Sequence, residues 1–145
     1  MVEVVDLIGA EEVSSLAAGL VVAPGHNPPG DEAATVEVLA QACRLRELEP
    51  IVDEVRPGRP NLRTVLDGGD GPGLLLLGHS DVVPPGDGWT VHPYGGLVRD
   101  GRLYGRGAAD MKGGLAACLV ALGAIKRAGV TLSGPVEFAV TVDEE

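Results

Sequence analysis

Two short strand-like runs, residues 74–77 (four consecutive leucines) and 136–142 (Val-Glu-Phe-Ala-Val-Thr-Val), flank an Ala- and Leu-rich stretch over 111–128 that closes on Gly129. Strand, long helix, strand is the unit from which α/β sheets are wound. A continuous apolar run such as 74–77, bounded by turn residues, reads as a strand buried on both faces, the mark of a central parallel strand. The remaining chain has pieces of the same size, cut by 22 Gly and 11 Pro. Residues 11–20 have helical composition. Asn27-Pro28-Pro29-Gly30 is a rigid turn, after which Asp31 is placed to cap a helix reaching about Glu47, with Val36, Leu39, Ala40 and Cys43 as its apolar stripe. Strands are expected at 51–55 and 62–66, and Asp100-Gly101 is a type I′ hairpin signal between 96–99 and 102–104. Asp110 precedes the helix 111–128 as its cap. The expected fold is therefore α/β: a doubly wound, mainly parallel sheet with flanking helices.

A chain of 145 residues with 45% hydrophobic and 22% charged residues is globular in composition, and about 68–70% of its unfolded surface becomes buried at this length. A net charge of −10 repels polyanions, which argues against nucleic acid or an anionic membrane surface as partner. Cys43 and Cys118 form no C-x-x-C pair and read as free thiols of a reducing compartment. The N-terminus lacks the basic n-region and apolar run of a signal peptide. No apolar stretch approaches the roughly 20 residues that span a bilayer. A soluble, cytoplasmic protein is the expectation.

In open α/β sheets, sites form beyond the carboxyl ends of the strands and at adjacent helix N-termini. Three groups of metal-competent residues stand there. His79 and Asp81 come after 74–77, Asp110 opens 111–128, and Asp143, Glu144 and Glu145 come after 136–142. One β-α-β crossover brings all three to the same edge. Taken singly, each has a plainer reading: a loop histidine, an N-cap, a solvated acidic run. Together they repel unless a cation or proton is shared, and zinc accepts imidazole and carboxylate alike. Asp81, two residues beyond His79, points the same way and suits the task of holding the imidazole. His79-Ser80-Asp81 has the residue types of a serine triad, but neighbouring side chains diverge and no G-x-S-x-G elbow occurs. The Gly105-Arg106-Gly107-Ala108-Ala109-Asp110 segment lacks the third glycine and the Gly-Lys-Ser/Thr ending of phosphate loops.

Several ordered motifs share one pattern. They are Asn27-Pro28-Pro29-Gly30; Gly78-His79-Ser80-Asp81-Val82-Val83-Pro84; Trp89-Thr90; Pro93-Tyr94; Asp100-Gly101-Arg102-Leu103-Tyr104-Gly105-Arg106-Gly107-Ala108-Ala109-Asp110-Met111-Lys112-Gly113-Gly114; and Asp143-Glu144-Glu145. This pattern resembles the acetylornithine deacetylase / succinyl-diaminopimelate desuccinylase family. That family belongs to the di-zinc exopeptidases, with aminoacylases, glutamate carboxypeptidases and dipeptidases, and the resemblance runs over nearly the whole chain.

The resemblance implies a zinc-exopeptidase-like catalytic domain that hydrolyses the amide bond of N-acyl amino acids or small peptides. It implies that His79 binds one zinc, Asp81 orients it, Asp110 bridges two ions, Glu144 is the general base and Glu145 binds the second zinc, with cobalt or manganese as other ions such ligands accept. His26 and His92 match no ligand position and read as loop residues. Trp89 and Tyr94 read as packing for the long loop, and Lys112 either pairs with a site carboxylate or lies on the surface. The family pattern also contains a further acidic ligand, a later histidine and a lid and dimerisation domain. Residues 1–145 are therefore expected to be the N-terminal part of a catalytic domain, lacking the lid domain and the C-terminal half. On that expectation the 145-residue chain binds metal weakly and hydrolyses little, while the full-length form is a homodimer acting on a small-molecule substrate. The alternative reading is a truncated, inactive remnant that serves at most as a metal-binding or assembly module.

Overall fold

A computed structural model describes residues 3–145. Helices α1 (Ala10–Val22) and α2 (Ala33–Arg44) precede strands β1 (Ile51–Arg56), β2 (Arg59–Leu66) and β3 (Leu74–His79). The small hairpin β4 (Leu97–Arg99) and β5 (Arg102–Tyr104) is next, then α3 (Gly113–Ala128) and β6 (Val136–Thr141). The main sheet has the order β1-β2-β6-β3.

The sheet is α/β and mixed. β1 pairs with β2 and β2 with β6 antiparallel, and β3 with β6 parallel. This corrects the expectation of a mainly parallel sheet. Only Pro57 and Gly58 separate β1 from β2, too few residues for a crossover, so that pair must turn back on itself. α3 carries the chain from β3 back to the start of β6, and that pair alone in the main sheet is parallel. The helices cover one face of the sheet, so it is not doubly wound within these residues. Leu62, Leu66, Phe138 and Val140 pack there against Leu20, Leu39, Cys43, Leu115, Leu119 and Leu122.

The leucine run is also not buried on both faces. β3 lies at the edge of the sheet, and Leu74, Leu75 and Leu77 are 57%, 55% and 61% exposed. Its inward positions are tight: a Cβ on Gly78 would stand 2.7 Å from Leu115 Cδ2 and 2.9 Å from Met111 Cε.

Two helix starts differ from expectation. α2 begins at Ala33, and Glu32 at its N-cap makes no side-chain capping bond. Asp31 is exposed, and the helix ends three residues before Glu47, whose φ of 57° is left-handed. Asp110 is not a cap either. Ala108–Lys112 form a wide π-type turn in which Asp110 and Met111 have non-helical angles, and the regular helix starts at Gly113. The α2 stripe Val36, Leu39, Ala40 and Cys43 is buried as its spacing required. Asp100 and Gly101, at φ 52° and 71°, make the I′ turn. Ala108–Ala128 is long and apolar enough to cross a membrane by length and composition, which corrects the expectation that no stretch approaches that length. In this fold Leu115, Ala116, Leu119, Val120 and Leu122 bury its inner face in the core.

Candidate metal centre

β3 and β6 run side by side with His79 opposite Thr141, so the residues just past the end of each strand emerge at one edge. The Ser80 N–H extends the ladder by donating to the Thr141 carbonyl at 2.9 Å. After β6 the chain turns sharply at Asp143, a non-glycine residue at φ 70°. The wide turn before α3 carries Asp110 to the same edge.

His79 is 6% exposed. Its Nδ1 lies 3.1 Å from the Asp81 carbonyl oxygen and 3.4 Å from Asp81 Oδ1. With that nitrogen donating, Nε2 is left facing Asp110 Oδ1 at 3.1 Å and Glu144 Oε2 at 3.8 Å. Burial lowers the basicity of this imidazole, but the Asp110 hydrogen bond and the Asp81 and Glu144 charges outweigh it and raise the pKa. Cationic character is thus favoured at the place where three carboxylates meet.

Asp81 is 1% exposed and acts as a hub. Its Oδ2 accepts from Asn27 Nδ2 at 3.0 Å and from the amides of Glu144 and Glu145 at 3.0 and 3.1 Å. Its Oδ1 is buried without a hydrogen-bond partner, facing the His79 ring. Burial would raise this carboxyl; the Asn27 and Glu145 donors more than offset it and hold it below the ordinary range. Asn27 Nδ2 also reaches Asp143 Oδ1 at 3.1 Å and the Glu145 carbonyl at 3.3 Å.

Of the sequence-predicted residues, His79, Asp81, Asp110 and Glu144 are drawn together by their side chains, and Glu145 joins through its main chain. His26 hydrogen-bonds the Tyr94 hydroxyl and His92 is exposed, with Nδ1 accepting from the Tyr94 amide. Trp89 Nε1 donates to the Pro85 carbonyl and packs near the Arg106 guanidinium. Lys112 neither meets a carboxylate nor lies on the surface. It is 1% exposed, and Nζ donates to the carbonyls of Leu20, Ala23 and Pro24 at 2.8, 2.6 and 2.7 Å.

Sequence reasoning missed Glu32 and Arg59, and saw Asn27 only as part of a turn. Arg59 Nε and Nη2 hold the fully buried Glu32 carboxylate at 3.0 and 2.6 Å, and Nη1 reaches Asp143 at 3.0 Å. Glu32 and Arg59 lie in no motif. The one sequence trace is Gly30, at φ 90°, where a Cβ would stand 2.3 Å from Arg59 Nε.

The donor chemistry fits zinc, which takes imidazole nitrogen and carboxylate oxygen at about 2.0–2.2 Å, so that two donors of one tetrahedral ion sit about 3.4 Å apart. The His79–Asp110 and His79–Glu144 separations of 3.1 and 3.8 Å straddle that spacing. Among the described residues, no three His, Cys, Asp or Glu side chains converge closely enough to cage an ion.

A mixed sheet with helices packed on it is an architecture shared with solved peptidases. An aminopeptidase PepT from Bacillus cereus superposes with a TM-score of 0.73 at 27% identity, over 94% of this chain and 37% of that one. An M20 family metallo-carboxypeptidase from Sulfolobus solfataricus superposes at 0.74 with 21% identity, over 90% and 30%. In sequence, a succinyl-diaminopimelate desuccinylase of Gluconacetobacter diazotrophicus is 46% identical over 137 residues, covering 90% of this chain and 34% of that protein. Residues 75–145 match the model of peptidase family M20/M25/M40. The chain spans about a third of the length of the curated relatives it matches.

Proposed function

We propose that this chain supplies part of a metal-dependent hydrolase that cleaves the amide bond of N-acyl amino acids or small peptides, in the manner of deacetylases, desuccinylases and dipeptidases. The observation that carries the reading is the approach of His79 Nε2 to Asp110 Oδ1 and Glu144 Oε2 at the carboxyl edge of β3 and β6. It is supported by the family match and by the desuccinylase relatives at 40–46% identity.

His79, Asp110 and Glu145 would hold zinc, two ions with Asp110 shared between them, or cobalt or manganese in its place. Such ions lower the pKa of water and polarise a carbonyl. Asp81 fixes the imidazole through its Nδ1 side and, through Oδ2, fixes the backbone of Glu144 and Glu145. Glu144, whose side chain is 63% exposed, is free to take a proton from water at Oε2 and hand it to the departing amine. Consecutive side chains diverge, so Glu144 and Glu145 divide proton transfer and ligation. The full-length protein acts as a cytoplasmic homodimer on a small-molecule substrate.

The test exchanges this chain for the matching N-terminal third of the G. diazotrophicus desuccinylase. Zinc content and turnover of N-succinyl-diaminopimelate, N-acetylornithine and simple dipeptides are then measured. We expect one of these to be hydrolysed and Glu144→Gln to cut kcat by about 10²–10⁴-fold with zinc retained. A folded chimera that binds zinc yet turns over none of them overturns the reading and leaves an inactive metal-binding module; an active chimera indifferent to Glu144→Gln overturns Glu144 as the general base.

A further inference from the structure

We infer that Arg59 is a positioning residue for the acidic turn at 143–145, acting through Asp143 with Glu32 as its anchor; this rests on the proposed hydrolase reading. The antiparallel pairing of β2 with β6 sets the start of one strand beside the end of the other, which carries Arg59 to the place where Asp143 leaves the sheet. Asp143–Glu145 lie past the last residue of β6, so no strand ladder holds them.

The guanidinium is used on two edges. Nε and Nη2 grip Glu32, itself 0% exposed, and Nη1 alone extends to Asp143, which is exposed. A buried ion pair needs only the first grip to be satisfied. The second fixes a carboxylate that solvent would otherwise serve, and it does so at the residue whose left-handed backbone redirects the chain toward His79. From Asp143 the connection runs through Asn27 Nδ2 to Asp81 Oδ2, and from there to the Glu144 and Glu145 amides. One guanidinium therefore sets the backbone of the proposed general base and the proposed ligand together. Only a planar fork reaches both partners, so lysine is not equivalent. Gly30 leaves the room the fork occupies.

The test compares Asp143→Ala, Asp143→Asn and Arg59→Lys in the 145-residue chain. All three keep Glu32 opposite a cation. Two measurements are made: affinity for zinc alone, by competition with a chromophoric chelator, and hydrogen exchange at the Glu144 and Glu145 amides. Asp143→Ala and Arg59→Lys should weaken zinc about 10–100-fold and speed exchange at both amides, with cooperative unfolding preserved. Asp143→Asn keeps the accepting oxygen and should restore most of both. Equal losses in the Ala and Asn variants would mean that charge alone matters, and unchanged amides would mean that the turn holds itself; either overturns the inference. If the parent chain takes up no zinc, the hydrolase reading loses that support separately, and amide exchange alone decides whether Arg59 positions the turn.

Discussion

Lys112 is an ammonium answered by carbonyls alone. Burial pushes it down to about 7, while three oxygens at 2.6–2.8 Å from the carboxyl end of α1 favour its charge. It ties α1 and the loop leading to Asn27 against the turn that holds Asp110. Lys112→Met keeps much of the volume but strands three carbonyls, and should cost about 2–4 kcal/mol in urea unfolding. Cys43 is the opposite case, a polar atom kept silent. It is 0% exposed, and burial pushes its thiol up from 9.0 to about 11. At pH 8 its thiolate is about 100-fold scarcer than that of a free thiol. Alkylation there should label Cys118 and leave Cys43 until denaturant is added. Because the folded thiol ionises later than the unfolded one, its contribution to stability is complete below pH 9. It fades as pH rises toward 11, by about 3 kcal/mol at most.

At the scale of elements, glycines mark where backbone and neighbours leave no choice. Gly129 ends α3 at φ 62° with nothing within 4 Å of a would-be Cβ, so Gly129→Ala should cost only the left-handed penalty, about 1 kcal/mol. Gly78 is the reverse: its backbone is ordinary, but its space is taken by Leu115 and Met111. Gly78→Ala should push α3 from β3 and cost about 1–3 kcal/mol, with disturbed chemical shifts at His79 as the check. The elements themselves were legible in the sequence, since their periodicity and turn residues derive from backbone geometry. Their starts were less so, because an acidic residue before a helix looks the same whether it caps, ligates or pairs. Glu32 pairs with an arginine 27 residues away, and Asp110 faces a histidine 31 residues away. Those distances in sequence are why Arg59 stands in no motif and Asn27 reads only as part of a turn, while His79, Asp81 and Glu144 are legible as side chains just past strand ends.

Among the described residues, one face of the sheet is covered and the other carries Val65, Leu75 and Leu77 to solvent, beside the edge strand β3. Exposed apolar strands at an edge invite pairing between copies, and a charge of −10 opposes it. Light scattering should therefore show self-association that grows with added salt, and Leu75→Lys with Leu77→Lys should suppress it without lowering the melting temperature by more than a few degrees. Four leucines in a row looked central because composition reports what a strand wants against its faces, not what is present to cover them. The strand order carries one more consequence. β2 and β3 are neighbours in sequence, yet β6 lies between them. Neither can complete its pairing until β6 arrives from far along the chain, so loop closure over long separations precedes most of the sheet's reward. The acidic turn is carried on that late strand, and His79 waits for it. The contacts of His79 with that turn need β6 in place, so they should report completion of the sheet more faithfully than helix content does.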